Sequence, residues 1–115
     1  MNEKPSDTLQ VSCAQMHWAR SLERNIQKTK ELLSAAVDEG SRVVLFPEAN
    51  ITGYYFPYAV KLPRKEVLEA LDEVARAVRE AGIWAIVGTI RAWRDGFINL
   101  AHVIDPEGRI TYEYA

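Results

Sequence analysis

Cysteine is nearly missing from this chain. Cys13 is the only one in 115 residues, which excludes an internal disulfide framework. One unpaired thiol fits a reducing compartment, so a cytoplasmic setting is expected. Histidine is equally scarce. His17 and His102 stand far apart and lack the spacing of paired ligands, so no metal site is expected from them. Neither sign of charge dominates: the formal net charge is -2, with the charges interspersed. This argues against nucleic acid or an anionic membrane as a partner. No apolar run approaches the ~20 residues of a membrane-spanning helix. The first eight residues are polar, have no signal core, and read as a disordered lead-in. A glycine-rich phosphate loop is also missing. The first strand runs into His17-Trp18-Ala19-Arg20, which excludes a dinucleotide site, and no cofactor is expected.

What is present reads as one globular domain over residues 9–115. Hydrophobic residues make up 48% and charged residues 26%, close to the averages for such domains. Leu9, Val11 and Cys13 alternate within a first strand, Leu9 to Met16. Mid-strand beside Val11, Cys13 reads as a buried, inert thiol. Leu22, Ile26, Leu33 and Val37 recur at helical spacing, with Leu32 and Ala36 widening the stripe. This helix starts at a capping Ser21 and ends at Gly40, placed for a left-handed cap.

A second strand, Arg42 to Phe46, carries four consecutive apolar residues, Val43 to Phe46, and suits burial on both faces of a parallel sheet. After it, Pro47 to Pro63 forms a long loop rich in aromatics. A second helix spans Glu66 to Ala81, and a third strand Ile83 to Ile90. Asp95-Gly96 signals a hairpin into a fourth strand, Phe97 to Ile104. Asp105-Pro106-Glu107-Gly108 is a turn into a fifth strand, Arg109 to Tyr114. The order β-α-β-α-β-β-β predicts an α/β fold with a mixed sheet. Each helix has one apolar stripe, so both are expected on one face of that sheet, leaving the other uncovered.

Proline cannot donate a ladder hydrogen bond, so Pro47 ends the second strand and presents Glu48 at its carboxyl end. Open α/β sheets carry their sites there. Glu48 reads either as a catalytic carboxylate or as a surface one. Read from its setting, Tyr54 packs the loop onto the body or forms part of an interface. Asn99 either orients Glu48 or satisfies backbone groups. Lys61 and Lys65 are near Glu48 in sequence only and read as solvated.

Several stretches together resemble the amino-terminal part of the nitrilase superfamily of carbon–nitrogen hydrolases. They are Ala14-Gln15-Met16, Asn25, the segment GSRVVLFPE from Gly40 to Glu48, Thr52-Gly53-Tyr54, Val87-Gly88, Asn99 and the turn from Asp105 to Gly108. The resemblance implies half of an α-β-β-α sandwich. It implies hydrolysis of amide, nitrile or N-carbamoyl bonds by a glutamate, a lysine and a cysteine, with Glu48 as the glutamate and Tyr54 near the substrate. A thiolate attacks, an ammonium stabilises the developing charge, and the carboxylate moves protons. The family's lysine and cysteine follow the equivalent of the fifth strand, so the sequence reads as a truncated amino-terminal portion. The alternative is a catalytically inert module that self-associates. An uncovered apolar sheet face predicts a homo-oligomer.

Overall fold

The computed structural model describes residues 7–115. The lead-in expected over residues 1–8 therefore lies outside the described residues, apart from Asp7 and Thr8. The chain runs through β1 (Val11–Cys13), α1 (Leu22–Asp38), β2 (Val43–Leu45), α2 (Phe56–Ala59), α3 (Arg64–Ala81), β3 (Trp84–Trp93), β4 (Gly96–Ile104) and β5 (Ile110–Tyr114). The five strands form one sheet in sequence order. β1, β2 and β3 are parallel, while β3, β4 and β5 are antiparallel. This is the expected mixed sheet. No helix among the described residues is long and apolar enough to cross a membrane.

Local chemistry sets the helix limits. The Ser21 hydroxyl accepts a hydrogen bond from the Arg24 amide, satisfying one orphan donor at the start of α1. At the other end Gly40 takes φ +83°, its N–H bonds the Val37 carbonyl, and the Ser41 N–H bonds the Ala36 carbonyl. That pair of bonds is a Schellman closure. Gly82 ends α3 in the same left-handed region.

Both helices pack on one face of the sheet. Leu33 and Ala36 of α1 and Leu71, Val74 and Val78 of α3 meet Val44, Ala85, Val87 and Ile104 from the strands. Two sequence expectations fail here. Val37, expected on the buried stripe, is exposed, whereas Asn25 and Thr29 of the same helix are buried. Cys13, expected to be buried, is exposed. It points with Leu9 and Val11 toward the face that carries no helices, so the apolar alternation of β1 marks the open side. Val11, Leu45, Trp84, Tyr112 and Tyr114 are exposed as well.

The long loop is also more ordered than its composition suggests. It contains α2 and folds over one end of the open face, burying Ile90 against Ala49 and Ala59. The β3–β4 hairpin turns over Arg94 and Asp95, one residue earlier than the Asp95-Gly96 signal. Trp93 pairs with Gly96, and Arg94 takes φ +52°.

His102 of β4 is a buried polar residue on the helical side. Its Nδ1 lies 2.6 Å from Glu113 Oε2 and its Nε2 lies 2.8 Å from Thr89 Oγ1. Burial holds its pKa below the ordinary 6.5. The Glu113 carboxylate opposes that shift and Arg91 adds to it. The unfolded chain therefore takes up this proton at a higher pH than the folded one. Its contribution to stability is complete above about pH 6.5 and declines as pH falls through that value toward the folded pKa. Urea unfolding between pH 7.5 and 5 should show this decline, with a shallower slope for His102→Gln; equal slopes would exclude the linkage.

Candidate active site

β2 ends at Leu45 and the chain turns sharply. Phe46 still donates to the Ile86 carbonyl of β3, Pro47 ends the ladder, and Ala49 takes φ +53°. An alanine in the left-handed region costs about 1–2 kcal/mol. The surrounding contacts hold it there. Ala49 is fully buried, and a β-carbon on Gly88 would sit 2.4 Å from its backbone nitrogen. The turn can lie against β3 only because residue 88 has no side chain.

A chain of buried hydrogen bonds fastens this turn. The Gly88 N–H donates to Asn50 Oδ1 at 2.8 Å, and the Asn50 amide donates to Thr29 Oγ1 at 3.0 Å. Thr29 donates to the Asn25 carbonyl at 2.7 Å. The Asn25 side-chain amide donates to the carbonyls of Ala19 and Ile51, at 2.9 and 3.0 Å. The Ile51 N–H bonds the Gly88 carbonyl, and the Ile90 N–H donates to Thr52 Oγ1. Asn25, Thr29, Asn50 and Thr52 are each at most 1% exposed, so all of these bonds but the one to the half-buried Ala19 carbonyl are shielded from water. Sequence reasoning assigned no role here to Thr29, Asn50 or Thr52. A signal was available for α1: polar Asn25 and Thr29 lie four residues apart, in line with Leu33 and Ala36, where only apolar residues are expected.

Glu48 leaves this fixed turn toward the open face. Its Oε1 accepts a hydrogen bond from Asn99 Nδ2 of β4, at 2.5 Å. Of the two alternatives for Asn99, the structure displays contact with the carboxylate. A groove of about 310 Å³ lies beside the pair. Leu45, Ile86, Gly88 and Ala101 line it from the sheet, and Tyr114 closes one side. An anchored, solvent-reachable carboxylate at such a groove can accept and return a proton.

The other candidates lie elsewhere. Tyr54 is half-exposed and packs on Phe56 with ring centroids 5.2 Å apart; it does not line the Glu48 groove. Lys65 pairs with Glu69 on α3. Lys61 borders a separate hollow with Arg20, Tyr55 and Tyr58. Cys13 lies within β1. His102 is engaged by Thr89 and Glu113. Among the described residues, no three His, Cys, Asp or Glu side chains are grouped to hold a metal ion.

With this geometry in hand, comparison with known proteins is informative. The family model for carbon-nitrogen hydrolases matches residues 10–115. The chain belongs to that family. It is 32% identical over 95 residues to a nitrilase of Pyrococcus abyssi, covering 76% of this chain and 35% of that protein. It is 35% identical over 95 residues to omega-amidase NIT2-B of Xenopus laevis, covering 78% and 33%. Thus the chain spans about a third of the length of these curated relatives. Among solved structures, an amidase from Nesterenkonia sp. superposes with a TM-score of 0.81 at 20% identity, over 92% of this chain and 41% of the other. The NitFhit protein of C. elegans superposes at 0.75 with 23% identity, over 90% and 26%. These likenesses confirm the α/β fold.

Gly88→Ala should drive a β-carbon into the Ala49 backbone and lower unfolding free energy by about 1–3 kcal/mol. Gly96→Ala, which meets nothing within 4 Å, should change it by less than about 0.5 kcal/mol. Urea midpoints compare the two, and equal midpoints would rule out the close approach.

Proposed function

We propose that this chain supplies the carboxylate-bearing part of an amide-hydrolysing carbon–nitrogen hydrolase. The observation that carries the reading is Glu48, held by Asn99 at the groove beyond β2, in a member of this family. Relatives named as omega-amidases and a nitrilase support amides first and nitriles second as substrates, with N-carbamoyl compounds a further class.

In this reading Glu48 takes a proton from the attacking thiol and delivers it to the departing amine. It then activates the water that releases the acyl group. Asn99 holds Oε1 and leaves the proton to be exchanged toward the groove. Tyr54 lies outside the Glu48 groove, packed on Phe56, and is proposed only as an aromatic of the loop that borders the substrate's approach. The thiolate and the ammonium come from outside residues 1–115. In a mutant form of an amidase of similar fold, acrylamide adds at the active-site cysteine.

Residues 1–115 alone should not turn over amides, nitriles or N-carbamoyl compounds. Joined to a segment carrying the lysine and cysteine, the chain should hydrolyse an amide. Glu48→Gln should then lower kcat by roughly 10²–10⁴-fold. Ammonia release in a coupled assay measures this, and full activity in Glu48→Gln would remove Glu48 from the mechanism.

The open sheet face supports a second reading, in which the chain is a self-associating module. Val11, Leu45, Trp84, Tyr112 and Tyr114 expose apolar surface on that side. A second copy packed face to face would remove it from water. Sedimentation equilibrium at micromolar concentration should give a dimer mass. A cooperative monomer that binds no hydrophobic dye would exclude the module.

A further inference from the structure

β5 is an edge strand, and all five of its residues, Ile110 to Tyr114, are exposed. Packing therefore does little to fix where it lies along β4. Register is a real question for such a strand, because a one-residue slip turns every side chain to the opposite face. The β4–β5 ladder already contains an irregularity between Val103 and Ile104.

Two side-chain links join the strands: Thr111 Oγ1 donates to the Val103 carbonyl at 3.3 Å, an exposed contact, and Glu113 reaches the buried His102. Glu113 stands opposite His102 in the ladder, and its Oε2 lies 2.6 Å from His102 Nδ1. The imidazole is only 2% exposed, and its other nitrogen is taken by Thr89 of β3. The ring is thus pinned from one side and presents a single direction to β5. Because side chains alternate, fixing Glu113 on the helical side sends Tyr114 to the open side. There it pairs with Ala101 and lines the groove beside Glu48 and Asn99. A slip by one residue would carry Glu113 to the open face and leave a buried imidazole nitrogen unpaired. It would also withdraw Tyr114 from the groove.

We infer that His102 and Glu113 form a register clip: positioning residues that act through β5 to hold Tyr114 against the Glu48 groove. Thr89 holds the clip's inner end. The functional meaning of the clip rests on the groove being the active site. The clip itself does not, because it is a statement about strand register.

The test reads register directly, by NMR on the labelled chain. Wild type should show cross-strand contacts of Ala101 with Tyr114 and of His102 with Glu113. In Glu113→Ala the Ala101–Tyr114 contact should fade. Exchange of the amides from 110 to 114 should quicken roughly 10–100-fold, the scale of a lost hydrogen bond to a charged group. Core amides such as Val44 and Val74 should keep their rates. Glu113→Gln retains an acceptor and should restore both the contact and the slow exchange. Wild-type contacts and rates in Glu113→Ala would overturn the clip. Equal acceleration of the core and β5 would also overturn it, because the pair would then hold the whole domain and not the strand. Absence of hydrolysis in the joined wild-type chain, with β5 in register, would count against the active-site reading alone.

Discussion

The close approach of one backbone turn to β3 governs the rest of this structure. At Gly88 the sheet has no β-carbon, and the turn after β2 occupies that space. From this contact follow the left-handed Ala49, the burial of Asn50 and the direction in which Glu48 leaves the chain. The polar residues of α1 serve the same contact. Thr29 and Asn25 pass the hydrogen bonding of Asn50 through to the Ala19 and Ile51 carbonyls. A helix face that would otherwise be apolar therefore grips a loop.

The sheet is used differently on its two sides. The helical side holds the apolar core, and the buried polar pair that β3 and β4 place there, Thr89 and His102, is fully engaged. The open side carries the glutamate, the groove and the exposed aromatics of β5. The loop from residue 47 to residue 63 joins these regimes. It covers Ile90 at one end of the open face, yet leaves Leu45 and Trp84 uncovered farther along.

Much of the architecture was legible in the residues. Val43-Val44-Leu45 followed by Pro47 reads as a strand and its exit, and Gly40 closes α1 where expected, but burial on both faces is not found: Val44 is buried while Leu45 is exposed on the open side. Glu48 was legible because proline places it. The fastening of Glu48 was harder to read. Asn50 and Thr52 look like ordinary loop polars, since nothing local marks them as buried; only the distant Gly88 does. Cys13 was misread for a related reason. Alternation in β1 gives two faces but does not say which one the helices cover, and the apolar face proved to be the open one. The hairpin signal at Asp95-Gly96 was displaced by one residue because strand pairing continued to Gly96.

The mixed topology also bears on how the chain acquires its shape. β3, β4 and β5 form a meander whose partners are close in sequence, whereas β1 must find β2 across the whole of α1. Closing the shorter loops costs less entropy, which favours early formation of the meander. β2 and the turn after it can dock only on a β3 that already exists, with Gly88 exposed to receive Ala49. Glu48 thus takes its place on a surface that β3 and β4 supply, through Gly88 and Asn99. The carboxylate at the groove is held by a partner 51 positions away in the chain, so its placement depends on the β3–β4 hairpin and not on its own neighbourhood.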